Sequence, residues 1–191
     1  MKRIPKGGFG YINYQRKMRI LKTVALFILP ITLFVVGLIQ NGGDRKNILT
    51  LLAIVGVIPA CMSVVSVIMV FLKSSISKDL YEEVESHTAN LSVMYEVYLT
   101  THDENIFLSA LAIDDDYVTA YTEEKADAGK ISIMEKHITS CLKLEHLKRK
   151  VKIFTNKKQF TERLEDMNAR NNGHDRDQDS GVIAVLKAVS V

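Results

Sequence analysis

Asp103, Glu104, Glu123 and Lys125 are the residues whose types and spacing could support a metal-dependent reaction; they fall in THDEN (101–105) and TEEK (122–125). Two or three carboxylates, with water completing the shell, suit Mg²⁺, a hard cation that takes oxygen ligands. Between the two stretches lies a second acidic run, Asp114, Asp115 and Asp116. If that run is a hairpin tip centred on Asp115, Glu123 comes opposite Phe107 and Lys125 opposite Asn105. At 3.3 Å per residue Glu123 then lies roughly 23 Å along the strand from Asp116. The aspartates and glutamates of 113–125 therefore cannot share one ion, and Asp114–Asp116 read as a turn, for which Asp is well suited.

An acid at the start of one strand, followed by Glu-x-Lys on the next, resembles the metal site of restriction-endonuclease-like nucleases. The resemblance spans residues 76–155 and extends to an α-β-β-β-α-β core order. It implies Mg²⁺ held by Asp103, Glu104 and Glu123, with Lys125 orienting the attacking water, in a membrane-tethered nuclease or phosphodiesterase. The competing reading is that these are solvated charges at loop ends. Residues 73–191 carry sixteen Lys/Arg against twenty-one Asp/Glu, a net of −5. A surface that binds nucleic acid is basic, so a nucleic-acid partner is not expected, and the leading reading assigns neither catalytic residues nor a cofactor.

Other motifs add little. DRDQDSG (175–181) has its glycine one position late for a calcium loop, and Leu186 stands where the bidentate Glu belongs. The five histidines show no metal spacing, and Cys141 has no CxxC partner. KLEHLKRKVKIFTNKK gathers seven Lys/Arg within 143–158, a stretch that could meet anionic headgroups or an acidic partner.

The elements that must position these residues begin with two apolar runs. Twenty-one uncharged residues separate Lys22 from Asp44, and twenty-six separate Lys46 from Lys73. About 20 apolar residues cross the hydrocarbon of a bilayer as a helix. Two transmembrane helices are expected, at 23–41 and 47–72. A signal peptide is the weaker reading of the first run, which exceeds the usual apolar length and lacks an Ala-x-Ala site. Residues 1–72 hold nine Lys/Arg against the single acid Asp44, a net of +8. Seven of the nine precede the first run, which places the N-terminus in the cytoplasm and returns residues 73–191 to the same side. In the basic segment 1–22, Phe9, Tyr11 and Tyr14 sit between Lys6 and Arg16, as suits a headgroup-level anchor. Pro30 and Pro59 kink the spans. Gly56, Ala60 and Ser63 form a small-residue strip where the second helix meets either the first or a second copy of the protein. Neither span contains a charged residue or a histidine, which argues against a proton relay or ion path.

Residues 73–191 read as an α+β domain. SISKDLYEEVESHTAN (75–90) reads as a helix that could continue the second span, with Ile76, Leu80 and Val84 four apart, and is followed by a strand that alternates Leu91, Val93, Tyr95, Val97 and Leu99 against Ser92, Glu96 and Thr100. IFLSALAI is apolar on both faces, a central strand, and YVTAYTE returns from the aspartate turn. A helix over 131–147, a short strand KVKIF and a helix with Phe160, Leu164 and Met167 on one stripe complete an α-β-β-β-α-β-α order. Residues 171–180 read as a mobile loop, and the apolar tail 180–191 favours a helix. The two cysteines, one in a span and one in the domain, offer no disulfide. The sequence thus points to a two-helix hairpin in the cell membrane with both termini cytoplasmic. Its small interaction domain would serve as a non-enzymatic anchor, regulatory or accessory subunit. Its partners would be the lipid bilayer, a protein partner, or a second copy through Gly56, Ala60 and Ser63.

Overall fold

The computed structural model describes residues 3–101, 104–170 and 179–190. Among these described residues the fold is mixed α+β, with six helices and one four-stranded sheet. Residues 12–74 form one compact unit, and the described residues up to Tyr11 join those from Ser75 onward in the other.

The first unit is a pair of apolar helices, α1 (Tyr11–Gln40) and α2 (Ile48–Phe71). At 1.5 Å per residue these run roughly 45 and 36 Å, and both are long and apolar enough to cross a membrane. Helix α1 starts well before the uncharged run, so the basic residues from Arg16 to Lys22 lie on it. Asn47 caps α2, its Oδ1 accepting from Thr50 N at 2.8 Å while its Nδ2 donates to Gly37 O at 3.1 Å. The helices approach most closely at small residues. A methyl group at Gly37 would come within 2.7 Å of Asn47 Oδ1, and one at Gly56 would touch the Pro30 ring at 3.4 Å. Ala53 and Ala60 are buried and Ser63 is half-buried on the same side of α2. At the other end Arg16 and Arg19 of α1 donate to the carbonyls of Val70 and Ser66. The strip Gly56–Ala60–Ser63 is thus the side of α2 that lies against α1, the first of the two roles the sequence left open. Helix α2 ends at Phe71 and does not run on into the next helix, which begins only at Lys78. Ser77 N-caps that helix, accepting from Leu80 N at 3.2 Å, and so sets a new start.

The second unit runs α3 (Lys78–Ser86), β1 (Ser92–Thr100), β2 (Asn105–Ile113), β3 (Tyr117–Tyr121), α4 (Ala128–Leu144), β4 (Lys150–Phe154), α5 (Lys157–Arg170) and α6 (Ser180–Val189). The sheet order is β1-β2-β3-β4, with β1, β2 and β3 antiparallel in turn and β4 parallel to β3. Helices α4 and α6 bury Met134, Ile138, Leu142, Val182 and Leu186 in one core cluster with the sheet. From α5, Phe160 stacks on Tyr121 and Met167 accepts from Thr119. The 171–180 loop lies outside the described residues, apart from Asp179 and Ser180.

The predicted alternation of β1 breaks at Glu96. Met94, not Val93, joins the core, yet Val97 and Leu99 also do. On β2 their partners Leu111, Leu108 and Ile106 share that core with the same one-residue switch. Glu96 has a left-handed φ of 54°, and it and Ser109 opposite are skipped in the ladder. A left-handed residue costs about 1–2 kcal/mol when it is not glycine. Glu96 is buried rather than solvent-facing, and its carboxylate accepts from Ser75 Oγ at 2.6 Å and from Ile76 N at 3.3 Å.

The exposed edge of β1 is covered by both ends of the chain. Tyr95 N donates to Gly7 O at 2.8 Å, and Ser190 bridges Leu99. Lys6 donates to the carbonyls of Lys187 and Ser190, and burial draws its ammonium below the usual lysine range. Phe9 stacks on Tyr81 at 4.2 Å, so this ring belongs to the domain. Covering a strand edge removes a template for intermolecular pairing.

Candidate functional site

The aspartate run resolves as a turn. Asp114 is 6% exposed and accepts from Asp116 N at 2.9 Å and from Tyr117 N at 2.6 Å. The pairs Ile113↔Val118 and Ala110↔Tyr121 show that β2 and β3 meet one residue away from the register implied by a tip centred on Asp115. The carboxylate replaces backbone acceptors inside the three-residue connection Asp114–Asp116, as Asp does in tight turns.

At the opposite end of these strands, among the described residues, only one of the predicted acids, Glu104, meets a lysine, and that lysine is Lys130 rather than Lys125. Thr122 N donates to Phe154 O, and the chain then leaves the sheet. Both following glutamates reach back to β2: Glu123 accepts from Ser109 Oγ at 3.4 Å, and Glu124 from Phe107 N at 3.3 Å. Lys130, in the first turn of α4, places its ammonium 3.5 Å from Glu124 Oε2 and 4.0 Å from Glu104 Oε2. Asp127 caps the same helix by accepting from Lys130 N at 3.0 Å, and so sets where Lys130 starts. Lys125 is exposed. Asp103 lies outside the described residues. Glu104 and Glu124 therefore share an internal cation, and the Glu123–Lys125 pair is not the centre of the cluster. Among the described residues no group of three or more His, Cys, Asp or Glu is placed to hold a metal ion.

Sequence reasoning missed Lys130 and Glu124. The signal was present, because Asp127 three residues before Lys130 is an N-cap pattern. It becomes legible only once α4 is known to begin at Ala128 rather than Ile131. Nearby, Lys157 pairs with Glu83, which holds the lysine above its usual range, and burial next to Glu123 raises Tyr121. These contacts tie α3 to α5 and close the carboxylate end of the sheet by ion pairing.

A second concavity lies where the N-terminal segment meets α3 and β1. It is a cleft of about 460 Å³ lined by Gly7, Phe9, Tyr81, Glu85, Ser92 and Tyr95, among others. Tyr95 donates to Glu85 Oε2 at 2.9 Å, and burial together with that carboxylate holds its phenol well above the usual tyrosine range. The rings of Phe9 and Tyr81 stack on each other, and Tyr95 meets Tyr81 edge-on at 5.0 Å. Aromatic faces that contact one another leave no slot for a ligand between them, so the cluster fastens the N-terminal segment to the domain. No family model, curated protein or solved structure matches the chain.

Proposed function

We propose that this chain is an integral membrane protein whose helices α1 and α2 cross the bilayer as a hairpin. The hairpin carries the α+β unit on the cytoplasmic face as a non-enzymatic interaction domain, in an anchoring, regulatory or accessory role. One observation carries the reading: the outward sides of both helices expose large apolar side chains along their length. Leu26, Ile28, Leu29, Ile31 and Val35 of α1 are exposed, as are Leu51, Ile54, Val55, Ile58 and Val65 of α2. Leaving a side chain of this size in water costs roughly 1.5–3 kcal/mol, whereas a hydrocarbon surround removes that cost. The α+β unit has its own buried core, and among its described residues only Ile133 and Leu144 are exposed apolar side chains of this size, so lipid accounts for the apolar faces of the helices. The charge distribution supports the orientation, with basic residues concentrated before the first span. Uncharged spans support presentation of a domain over transport.

Single-cysteine labelling in a Cys61→Ser/Cys141→Ser background tests this. Gly42→Cys in the α1–α2 loop should react with an impermeant maleimide in intact cells, and Lys125→Cys only after permeabilisation. Labelling of both positions in intact cells, or the reverse pattern, would refute the topology. Release of the full chain from membranes by carbonate would refute the spanning itself.

A further inference from the structure

The sheet has a second end, away from the Glu104–Glu124 pair and next to the Asp114–Asp116 turn, where β3 and β4 begin side by side. Tyr117↔Lys150 is the first pair of that parallel ladder, and Lys150 N donates to Asp116 O at 2.8 Å. A cleft of about 290 Å³ opens there, lined by Asp116, Tyr117, Lys143, Lys148, Arg149 and Lys150. Four cations thus face one carboxylate. Arg163 of α5 lies with its guanidinium carbon 4.3 Å from the centroid of the Tyr117 ring, and Lys150 Nζ is 5.7 Å from the same centroid. Lys143, Lys148 and Lys150 form no salt bridge with a described residue. Arg149 is positioned differently: it is mostly buried, with Nη2 3.9 Å from the fully buried Asp179. Its Nε is also buried and has no hydrogen-bond partner among the described residues.

We infer that this cleft binds a phosphate-bearing anion. Concentrated like charge destabilises a folded surface unless an anion compensates it. A buried guanidinium N–H without an acceptor carries a desolvation cost that a ligand oxygen would remove. Phosphate fits both needs. Its several oxygens accept from a planar guanidinium fork and from ammonium groups at once, and such charge-assisted bonds are stronger than neutral ones. The Tyr117 ring holds Arg163 and Lys150 at the rim by cation–π contact, so Arg163 adds one further charge close to the opening. The dimensions suit a phosphate with a small organic substituent, either a phospholipid headgroup or a small soluble phosphate or pyrophosphate compound. The inference stands without the membrane assignment, since every residue in it belongs to the α+β unit.

The test uses the full chain in a neutral maltoside detergent, with the thermal unfolding midpoint followed by circular dichroism. Three probes are titrated: inorganic pyrophosphate, short-chain phosphatidylglycerol, and short-chain phosphatidylcholine as the uncharged comparison. A saturable rise with pyrophosphate supports a soluble ligand, and a rise with phosphatidylglycerol alone supports a headgroup. In either case Lys143→Glu/Lys148→Glu, two exposed positions, should weaken binding by at least about tenfold. Lys78→Glu/Lys125→Glu, which makes the same change of net charge elsewhere, should alter it less than about twofold. Absence of a saturable shift with both anionic probes would overturn the inference. So would equal loss in the two double variants, which would reduce the effect to net charge, or an equal response to phosphatidylcholine.

Discussion

Asp114 offers the cleanest separation of a turn-forming acid from a ligand-holding one. Its side chain is almost fully buried, and Oδ1 accepts two backbone N–H groups, from Asp116 and Tyr117. Hydrogen bonds to a charged acceptor contribute roughly 1.5–3 kcal/mol each when desolvated. Asp116 is exposed and Tyr117 half-buried, so water can replace part of what is lost. Asp114→Ala should therefore destabilise the domain by about 2–3 kcal/mol, lowering the midpoint by roughly 5–10 °C for a chain of this size. Asp114→Asn keeps a carbonyl oxygen in place and forgoes only the charge assistance, and should cost about 1 kcal/mol. Urea and thermal unfolding of the full chain in detergent, with and without Mg²⁺, give both numbers. An alanine variant within about 0.5 kcal/mol of the parent would refute the turn-capping argument. A Mg²⁺-dependent stabilisation of the parent that both variants lose would instead make Asp114 a metal ligand.

Gly37→Ala would place a methyl group against Asn47 Oδ1, the atom that caps α2; loss of that cap should cost about 1 kcal/mol, read as a lower midpoint in detergent, and an unchanged midpoint would refute the close approach. Tyr95 has a phenol raised by burial and by Glu85, so its contribution is fully present below the unfolded-state value near 10 and is lost as pH rises beyond it. Tyr95→Phe should flatten the fall in stability above pH 10, measured by urea unfolding between pH 8 and pH 11, even though it loses a hydrogen bond at neutral pH. Phe9→Ala removes the ring stacked on Tyr81 and should destabilise the α+β unit by roughly 1–2 kcal/mol; an unchanged midpoint would show that the N-terminal segment does not contribute to that fold.

The two long apolar helices, the central strand and the order of elements were legible because each rests on a local pattern. An uncharged run of twenty residues, a strand apolar on both faces and an apolar helical stripe need no knowledge of distant contacts. Glu96 was not legible. A glutamate in an alternating strand reads as a solvent-facing residue, and only its left-handed backbone and its bonds to Ser75 and Ile76, twenty positions away, explain why it is buried. The candidate carboxylate site was half legible for a related reason. Strand pairing limits which acids can approach one another, but the cation among them comes from the first turn of α4, ahead of the helix start expected at Ile131. A one-residue difference in the β2–β3 register was enough to alter which glutamate faces which partner. Phe9 shows the same limit, because aromatic rings beside basic residues mark a headgroup anchor by composition, and only Tyr81 shows that this one packs on protein.

The N-terminal segment also changes what counts as the domain. Lys6, Gly7 and Phe9 engage α6, β1 and α3 respectively, and Glu96 holds Ser75 and Ile76 where the chain returns. The apolar hairpin is therefore an insertion between two parts of one folded unit, entered at Tyr11 and left at Ser75. Chain on both sides of an insertion must be ordered for the edge of β1 to be covered, so the unit is complete only when the segment before α1 is present. A fragment cut at residue 73 would keep the sheet but expose the backbone of Tyr95 and the face of Tyr81. Such an exposed strand edge favours pairing between copies. Aggregation of that fragment would then reflect the missing strap rather than a weak core, and adding back residues 3–11 should reverse it.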